Sequence, residues 1–245
     1  MLHFDGFHED IKANFDKYAK IYDNLADNLS RHIFQNLINF KISGDTRYIR
    51  GFELAHDRQY FEDFLGLPDN PTFVDAGGYT GDTALQFISR YPKFHKIYLF
   101  EPEEQNIAQA RQNLKDYPNI ECIQKGLSNK NETVKFSANN SSSSVSGDGE
   151  LTIQVARLDD IVQKVHFIKM DIEGSESAAI DGAKQTIHKY HPTLAICVYH
   201  KKDDFWKIPQ QILAIRNDYK LYFRHYTQGT DESVMYFVPI NSVFA

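Results

Sequence analysis

The sequence predicts an α/β protein built on a doubly wound, mostly parallel sheet with an antiparallel C-terminal strand, preceded by an N-terminal helical extension. Three observations carry this expectation. From Thr72 onward, short β-rich runs alternate with helical segments, as helices on both faces of a sheet require. A glycine-rich turn joins the first of those runs to the first helix. The last two runs are separated by too few residues for the crossover that a parallel return needs, so they pair antiparallel.

Residues 1–70 form the expected extension and 71–245 the main domain. From Ile11 through Phe40, apolar residues such as Leu25, Leu29, Ile33, Leu37 and Phe40 recur at helical spacing. Ser43-Gly44-Asp45 breaks the pattern, a short helix is expected from Ala55 to Leu65, and Leu67–Pro71 reads as a connector. Strands are expected at Thr72–Ala76, Lys96–Phe100, Asn119–Gln124, His166–Asp171 and Thr193–Tyr199. The intervening helices are Gly81–Arg90, Glu103–Asp116, Ser175–Tyr190 and Phe205–Asn217, and the closing strands are Lys220–His225 and Ser233–Pro239. One segment departs from this rhythm. Glu132–Phe136 and Leu151–Val155 resemble strands flanking a Ser/Gly run, Asn139–Gly149, which reads as a surface hairpin loop or as a flap over a site.

The 245 residues can bury a substantial core, and 42% hydrophobic with 24% charged content is ordinary for a globular chain. A net charge of −6 argues against a nucleic-acid backbone as the main partner, because phosphates want clustered Lys and Arg. Cys122 and Cys197 lie in apolar strand-like runs and read as reduced thiols, which suits a cytoplasmic setting. Met1-Leu2-His3-Phe4-Asp5 lacks the apolar run of a signal peptide, and no window approaches a membrane span.

The central motif is Phe73-Val74-Asp75-Ala76-Gly77-Gly78-Tyr79-Thr80-Gly81-Asp82-Thr83, placed where a strand gives way to a helix. Ligands of open α/β sheets bind at such strand ends, and glycines let them approach the backbone closely. Alone, a glycine turn is a weak signal. Asp75 sharpens it: a carboxylate in this turn would repel pyrophosphate but attract a ligand bearing an ammonium and a sulfonium. Glu101, ending the next strand before Pro102, is placed to accept both hydroxyls of a ribose. Either acid could instead be a helix cap or first-turn residue.

At this point the chain resembles the FkbM family of S-adenosylmethionine-dependent methyltransferases, from about Gln59 to Pro239. The carriers are Val74–Thr83, Phe100-Glu101-Pro102 and Ile168-Lys169-Met170-Asp171-Ile172-Glu173-Gly174-Ser175-Glu176, with weaker support from Gln59-Tyr60-Phe61 and Arg224-His225-Tyr226. The pair after Gly77 is commonly Ala-Asn in the family and is Gly78-Tyr79 here, so a contact made by that Asn is lost. The resemblance implies a Rossmann-like class I methyltransferase sheet with S-adenosyl-L-methionine as cofactor. Cofactor contacts are expected at Gln59, Tyr60, Asp75, Ala76, Gly77, Gly78, Tyr79, Gly81, Asp82, Thr83, Glu101, Pro102, Gly126 and Asp171. It also implies O-methylation of a sugar or small-molecule hydroxyl.

Residues at the ends of the fourth and fifth strands, Asp171 and Glu173, then Tyr199 and His200, are expected on the acceptor side. Methyl transfer to a hydroxyl needs alignment and a base. Asp171, Glu173 or His200 could supply it, and histidine suits the task because its unperturbed pKa lies near ~6.5. Asp171 could instead hold the ligand's ammonium, and Glu173 could complement the dipole in the first turn of the following helix. Asp204, Trp206, His225 and Tyr226 are acceptor candidates; Trp206 could stack on a sugar or cover the core, and His225 and Tyr226 could equally be core residues. His200, Asp171 and Asp204 lack the tight spacing of a metal site, so no metal is expected. The N-terminal helices could cap the site or form a homodimer surface. An NAD-dependent oxidoreductase and a non-catalytic ligand-binding module are the rival readings.

Overall fold

The computed structural model of the chain describes residues 6–139, 142–145 and 151–240. It begins with α1 (Phe7–Ala13), α2 (Phe15–Asn24) and α3 (Asn28–Ser43), then single 3-10 turns at Thr46–Tyr48 and Asp63–Leu65. Next come β1 (Thr72–Ala76), α4 (Asp82–Arg90), β2 (Lys96–Phe100), α5 (Glu104–Leu114) and β3 (Ile120–Ile123). A second group follows: β4 (Gly126–Leu127), β5 (Glu132–Asn139), β6 (Ser142–Val145) and β7 (Leu151–Ala156). The chain continues through β8 (Phe167–Met170), α6 (Glu176–Asp181), α7 (Lys184–Tyr190) and β9 (Thr193–Cys197) to α8 (Asp204–Ile215), β10 (Tyr219–His225) and β11 (Ser233–Pro239).

The main sheet has seven strands in the order β10-β11-β9-β8-β1-β2-β3. β8, β1, β2 and β3 run parallel to one another, and the C-terminal hairpin β10–β11 is antiparallel. This is the expected mixed α/β sheet. A four-stranded sheet, β4-β7-β5-β6, stands apart from it in hydrogen bonding. The chain divides into two compact units: a central unit within residues 66–194, and a terminal unit made from residues 6–65 and 195–240.

In the central unit, β1 and β8 are buried on both faces, and their one acid and one base, Asp75 and Lys169, are buried as neighbours. Phe73 stacks on Phe87 of α4 at 4.4 Å and on Phe167 of β8 at 5.1 Å, tying helix to sheet. In the terminal unit, Asp27 caps α3 by accepting the Ser30 amide at 2.6 Å, and Gly44 ends it in the left-handed conformation. Ser30 Oγ accepts both the Phe223 amide and the Arg224 guanidinium, while Arg224 also pairs with Asp27 at 2.7 Å. Phe34 packs between Phe205 and Phe223 at 5.6 and 5.2 Å.

Four expectations are corrected. The helical stretch from Ile11 to Phe40 is broken twice. Asn14 turns its side chain back onto Asp10, and Leu25 adopts an extended conformation so that Ala26 can donate to the Leu221 carbonyl at 2.7 Å. No helix spans Ala55–Leu65, because Tyr60 has φ 70° and only the Asp63–Leu65 turn forms. Ser175–Tyr190 is two helices, split at Gly182, where a Cβ would lie 2.0 Å from the Ser128 carbonyl oxygen. The Ser/Gly run contributes β6, which pairs antiparallel with β5, so it is not loop throughout; residues 140–141 and 146–150 lie outside the described residues. Among the described residues both cysteines are free thiols, and no helix is long and apolar enough to cross a membrane.

Candidate functional site

The C-terminal ends of β1 and β2 build one compact arrangement in the central unit. Ala76 closes β1, and the amides of Gly77 and Gly78 both donate to the Phe100 carbonyl at 3.0 Å, pinning the turn to the end of β2. Gly77 has φ 75°, and a Cβ there would sit 1.8 Å from the Asp171 carbonyl oxygen, so no side chain fits. Gly81, also left-handed, caps α4, and the buried Thr83 lies in that helix's first turn. Asn113 secures the far side of the loop by donating to the Thr80 carbonyl at 2.8 Å.

Glu101 faces this turn with its carboxylate already fixed. Its Oε2 accepts the Tyr79 amide at 3.1 Å and its Oε1 the Glu103 amide at 2.9 Å. Burial raises its pKa, against the lowering effect of those two amides. Each carboxylate oxygen has further acceptor capacity, the donor-acceptor match for a pair of vicinal ribose hydroxyls. Pro102 follows directly, and Gly126 opens β4 beyond β3. The exposed Asp82, in the first turn of α4, adds a negative charge where a dinucleotide's pyrophosphate would rest.

Asp75 lies deeper than its strand-end position suggested. It is 0% exposed, so its carboxylate presents no surface to a cationic ligand. Its neighbour is the buried Lys169 ammonium, 3.2 Å from Oδ1, which also donates to the Gly77 carbonyl at 2.7 Å. Burial pushes the Asp75 carboxyl up to about 6, and the lysine's charge only partly offsets this. Asp75 therefore acts on the turn through Lys169. The lysine was visible in the Lys169–Glu176 motif, but its spacing alone did not reveal that it reaches across to the glycine turn.

After β8 the chain makes a second tight turn. The Asp171 amide donates to the Ala76 carbonyl at 3.1 Å; Glu173 and Gly174 follow at φ 54° and 85°. Glu173 precedes α6, so the dipole role expected of it is corrected: the first-turn acid is Glu176. Glu176 is buried and its Oε1 accepts the Ile172 amide at 2.9 Å, fixing the turn from within. Asp171 and Glu173 stay half-buried at the strand end.

The remaining candidates belong to the terminal unit. Gln59 and Tyr60 are buried there: the Gln59 amide donates to Tyr60 Oη at 3.0 Å and to the Glu232 carboxylate, and the Tyr60 hydroxyl lies 3.4 Å from Cys197 Sγ. Tyr199 and His200 follow β9, half-buried, with ring centroids 4.1 Å apart. Asp204 is buried and accepts the Lys201 amide at 2.8 Å, shaping the turn into α8. Trp206 does not offer an open face: its indole N–H donates to Asp10 at 3.0 Å, and the Lys17 ammonium lies 3.7 Å over the ring. His225 and Tyr226 are core residues. The His225 ring pairs with Ser233 Oγ at 2.9 Å, while the Tyr226 hydroxyl contacts Glu62 at 2.9 Å and the buried Tyr236 hydroxyl. Glu62, Glu232 and Tyr236 were not singled out from the sequence, since only the fold joins them to residues so distant in the chain.

A mostly parallel α/β sheet carrying a glycine turn at a strand end defines a protein of the doubly wound α/β class. The model of the methyltransferase FkbM domain matches residues 75–226, more than half of the chain, and the chain belongs to that family. It is 26% identical over 152 residues to the 2-O-methyltransferase NoeI of Sinorhizobium fredii, a match covering 51% of this chain and 62% of that protein. It is also similar to the crystal structure of methyltransferase FkbM from Methylobacillus flagellatus, with 28% identity and a TM-score of 0.84, covering 95% of this chain and 61% of the other. The chain thus spans about three fifths of the length of each.

Proposed function

We propose that the chain is an S-adenosylmethionine-dependent methyltransferase that modifies a hydroxyl of a sugar or small molecule. The observation that carries this reading is Glu101, whose two oxygens are each oriented by a backbone amide beside a turn too tight for side chains at Gly77. That pair of acceptor oxygens fits the two hydroxyls of the cofactor's ribose. The exposed Asp82 makes a poor setting for pyrophosphate, which weighs against a nicotinamide dinucleotide. The hydroxyl acceptor is supported by family membership and by the similarity to NoeI, a 2-O-methyltransferase.

When bound, S-adenosylmethionine supplies an activated methyl group. In this reading Glu101 accepts the ribose hydroxyls and the Gly77–Gly81 turn lies against the nucleoside. Asp171 and Glu173, at the end of β8, remain candidates for the cofactor's ammonium or the acceptor. We assign proton removal from the acceptor hydroxyl to His200, which follows β9 and whose residue type suits a general base.

The test is transfer of an isotopically labelled methyl group into a panel of glycans and hydroxylated metabolites, with the product located by mass spectrometry. Labelled O-methyl product should appear, and His200→Ala should lower kcat by about 10²-fold or more, in the range of a lost general base. Tight cofactor binding without turnover on any acceptor would favour a binding module. An unimpaired His200→Ala variant would move the base to Asp171 or Glu173.

A further inference from the structure

Tyr79 is out of keeping with the turn it sits in. Its φ of 44° lies in the left-handed region, which Gly77 and Gly81 occupy freely but a tyrosine occupies under strain. Its neighbours Gly78 and Gly81 are buried, yet Tyr79 is 58% exposed. A glycine would satisfy the backbone here without strain and without presenting an aromatic ring to water. The backbone is also not free to relax, because the Tyr79 amide is held on Glu101 Oε2 at 3.1 Å.

We propose that the Tyr79 ring contacts the cofactor's positively charged sulfonium, and so makes the turn favour the charged methyl donor over the neutral thioether product. This rests on the S-adenosylmethionine reading given above. The oxygen that holds the Tyr79 amide belongs to the carboxylate assigned to the ribose, so Tyr79 starts within one hydrogen bond of that sugar's site. The sulfur is joined to the ribose by a single methylene, within the span of a tyrosine side chain. An aromatic face attracts a cation through its quadrupole, and it interacts with a neutral thioether less strongly. The sulfur is charged before methyl transfer and neutral afterwards, so this contact weakens when the product forms. The neighbouring charges, Asp82 and Glu101, share the same preference for a cation.

The experiment measures affinities of S-adenosylmethionine and S-adenosylhomocysteine by calorimetry for the wild-type chain and for Tyr79→Phe, Tyr79→Asn and Tyr79→Gly. Asparagine and glycine both tolerate left-handed φ, so these variants should melt at or above the wild-type temperature. They should bind S-adenosylmethionine about fivefold to tenfold more weakly, with S-adenosylhomocysteine changed less than about twofold. Tyr79→Phe should retain the wild-type ratio. Equal losses for the two ligands, or no loss for either, would overturn the inference while leaving the cofactor reading standing. A wild-type chain that binds neither ligand would remove both.

Discussion

The central and terminal units use buried ionisable groups in opposite senses. In the central unit Asp75 is sealed beside Lys169, and the pair ties the sheet to the glycine turn through the Gly77 carbonyl. In the terminal unit His225 is sealed with Ser233 Oγ on its Nδ1 and Phe52 edge-on at 5.3 Å, and the Lys41 ammonium disfavours a second positive charge there. Burial is the largest influence on both, yet it raises the pKa of the acid to about 6 and lowers that of the base to about 4. One buried charge serves to organise a site, whereas the other position excludes charge to keep a hairpin packed.

The sharpest way to break this contrast is Lys169→Met. It strands a buried carboxylate and frees the Gly77 carbonyl, so denaturant unfolding should show a loss of about 3–5 kcal/mol. Asp75→Asn added to that variant should recover part of the loss. Full additivity of the two substitutions would show that the groups do not act as a pair.

His225 gives the next largest effect. A histidine whose folded pKa is lowered adds stability that is fully present above its unfolded value near ~6.5 and is lost as pH falls through about 4. The shift corresponds to an upper limit of about 3 kcal/mol. Asp75, with its raised pKa, works the other way: its contribution is full below about pH 4 and is lost as pH rises through about 6. Replacing His225 by Gln should therefore flatten the acid side of the stability profile, and Asp75→Asn should steepen it. If His225→Gln leaves the profile between pH 4 and 6.5 unchanged, the histidine is not buried in its neutral form.

The same two regions differ in how much of them could be read from the sequence. The central unit was legible because its signals are local: alternating strand and helix periods, a glycine turn, and acids at successive strand ends. Thr72–Ala76 and Lys96–Phe100 form over their expected ranges. Glu101 sits where a strand-end acid should, but its two amide partners depend on the turn's conformation and only the fold reveals them. The depth of Asp75 is not legible because sequence position gives no measure of burial, and its Lys169 partner lies 94 residues away. In the terminal unit almost every decisive contact is long-range. Ser30 bonds to Phe223 and Arg224, Gln59 to Glu232, and Trp206 to Asp10. Helical periodicity could mark the helices at the start of the chain. It could not show that an extended link at Leu25 would pair with Leu221, or that Tyr60 would turn left-handed.

The central claim is that the turn and Glu101 form a nucleoside site for a methyl donor. It is tested most directly by calorimetric titration of S-adenosylhomocysteine into the wild-type chain and into Glu101→Gln, with NAD as the control ligand. The account predicts saturable S-adenosylhomocysteine binding, weakened about 10- to 100-fold by the substitution, as expected for losing hydrogen bonds to a charged acceptor, and no NAD binding. Binding of NAD alone, or equal affinity of the two proteins for S-adenosylhomocysteine, would contradict it.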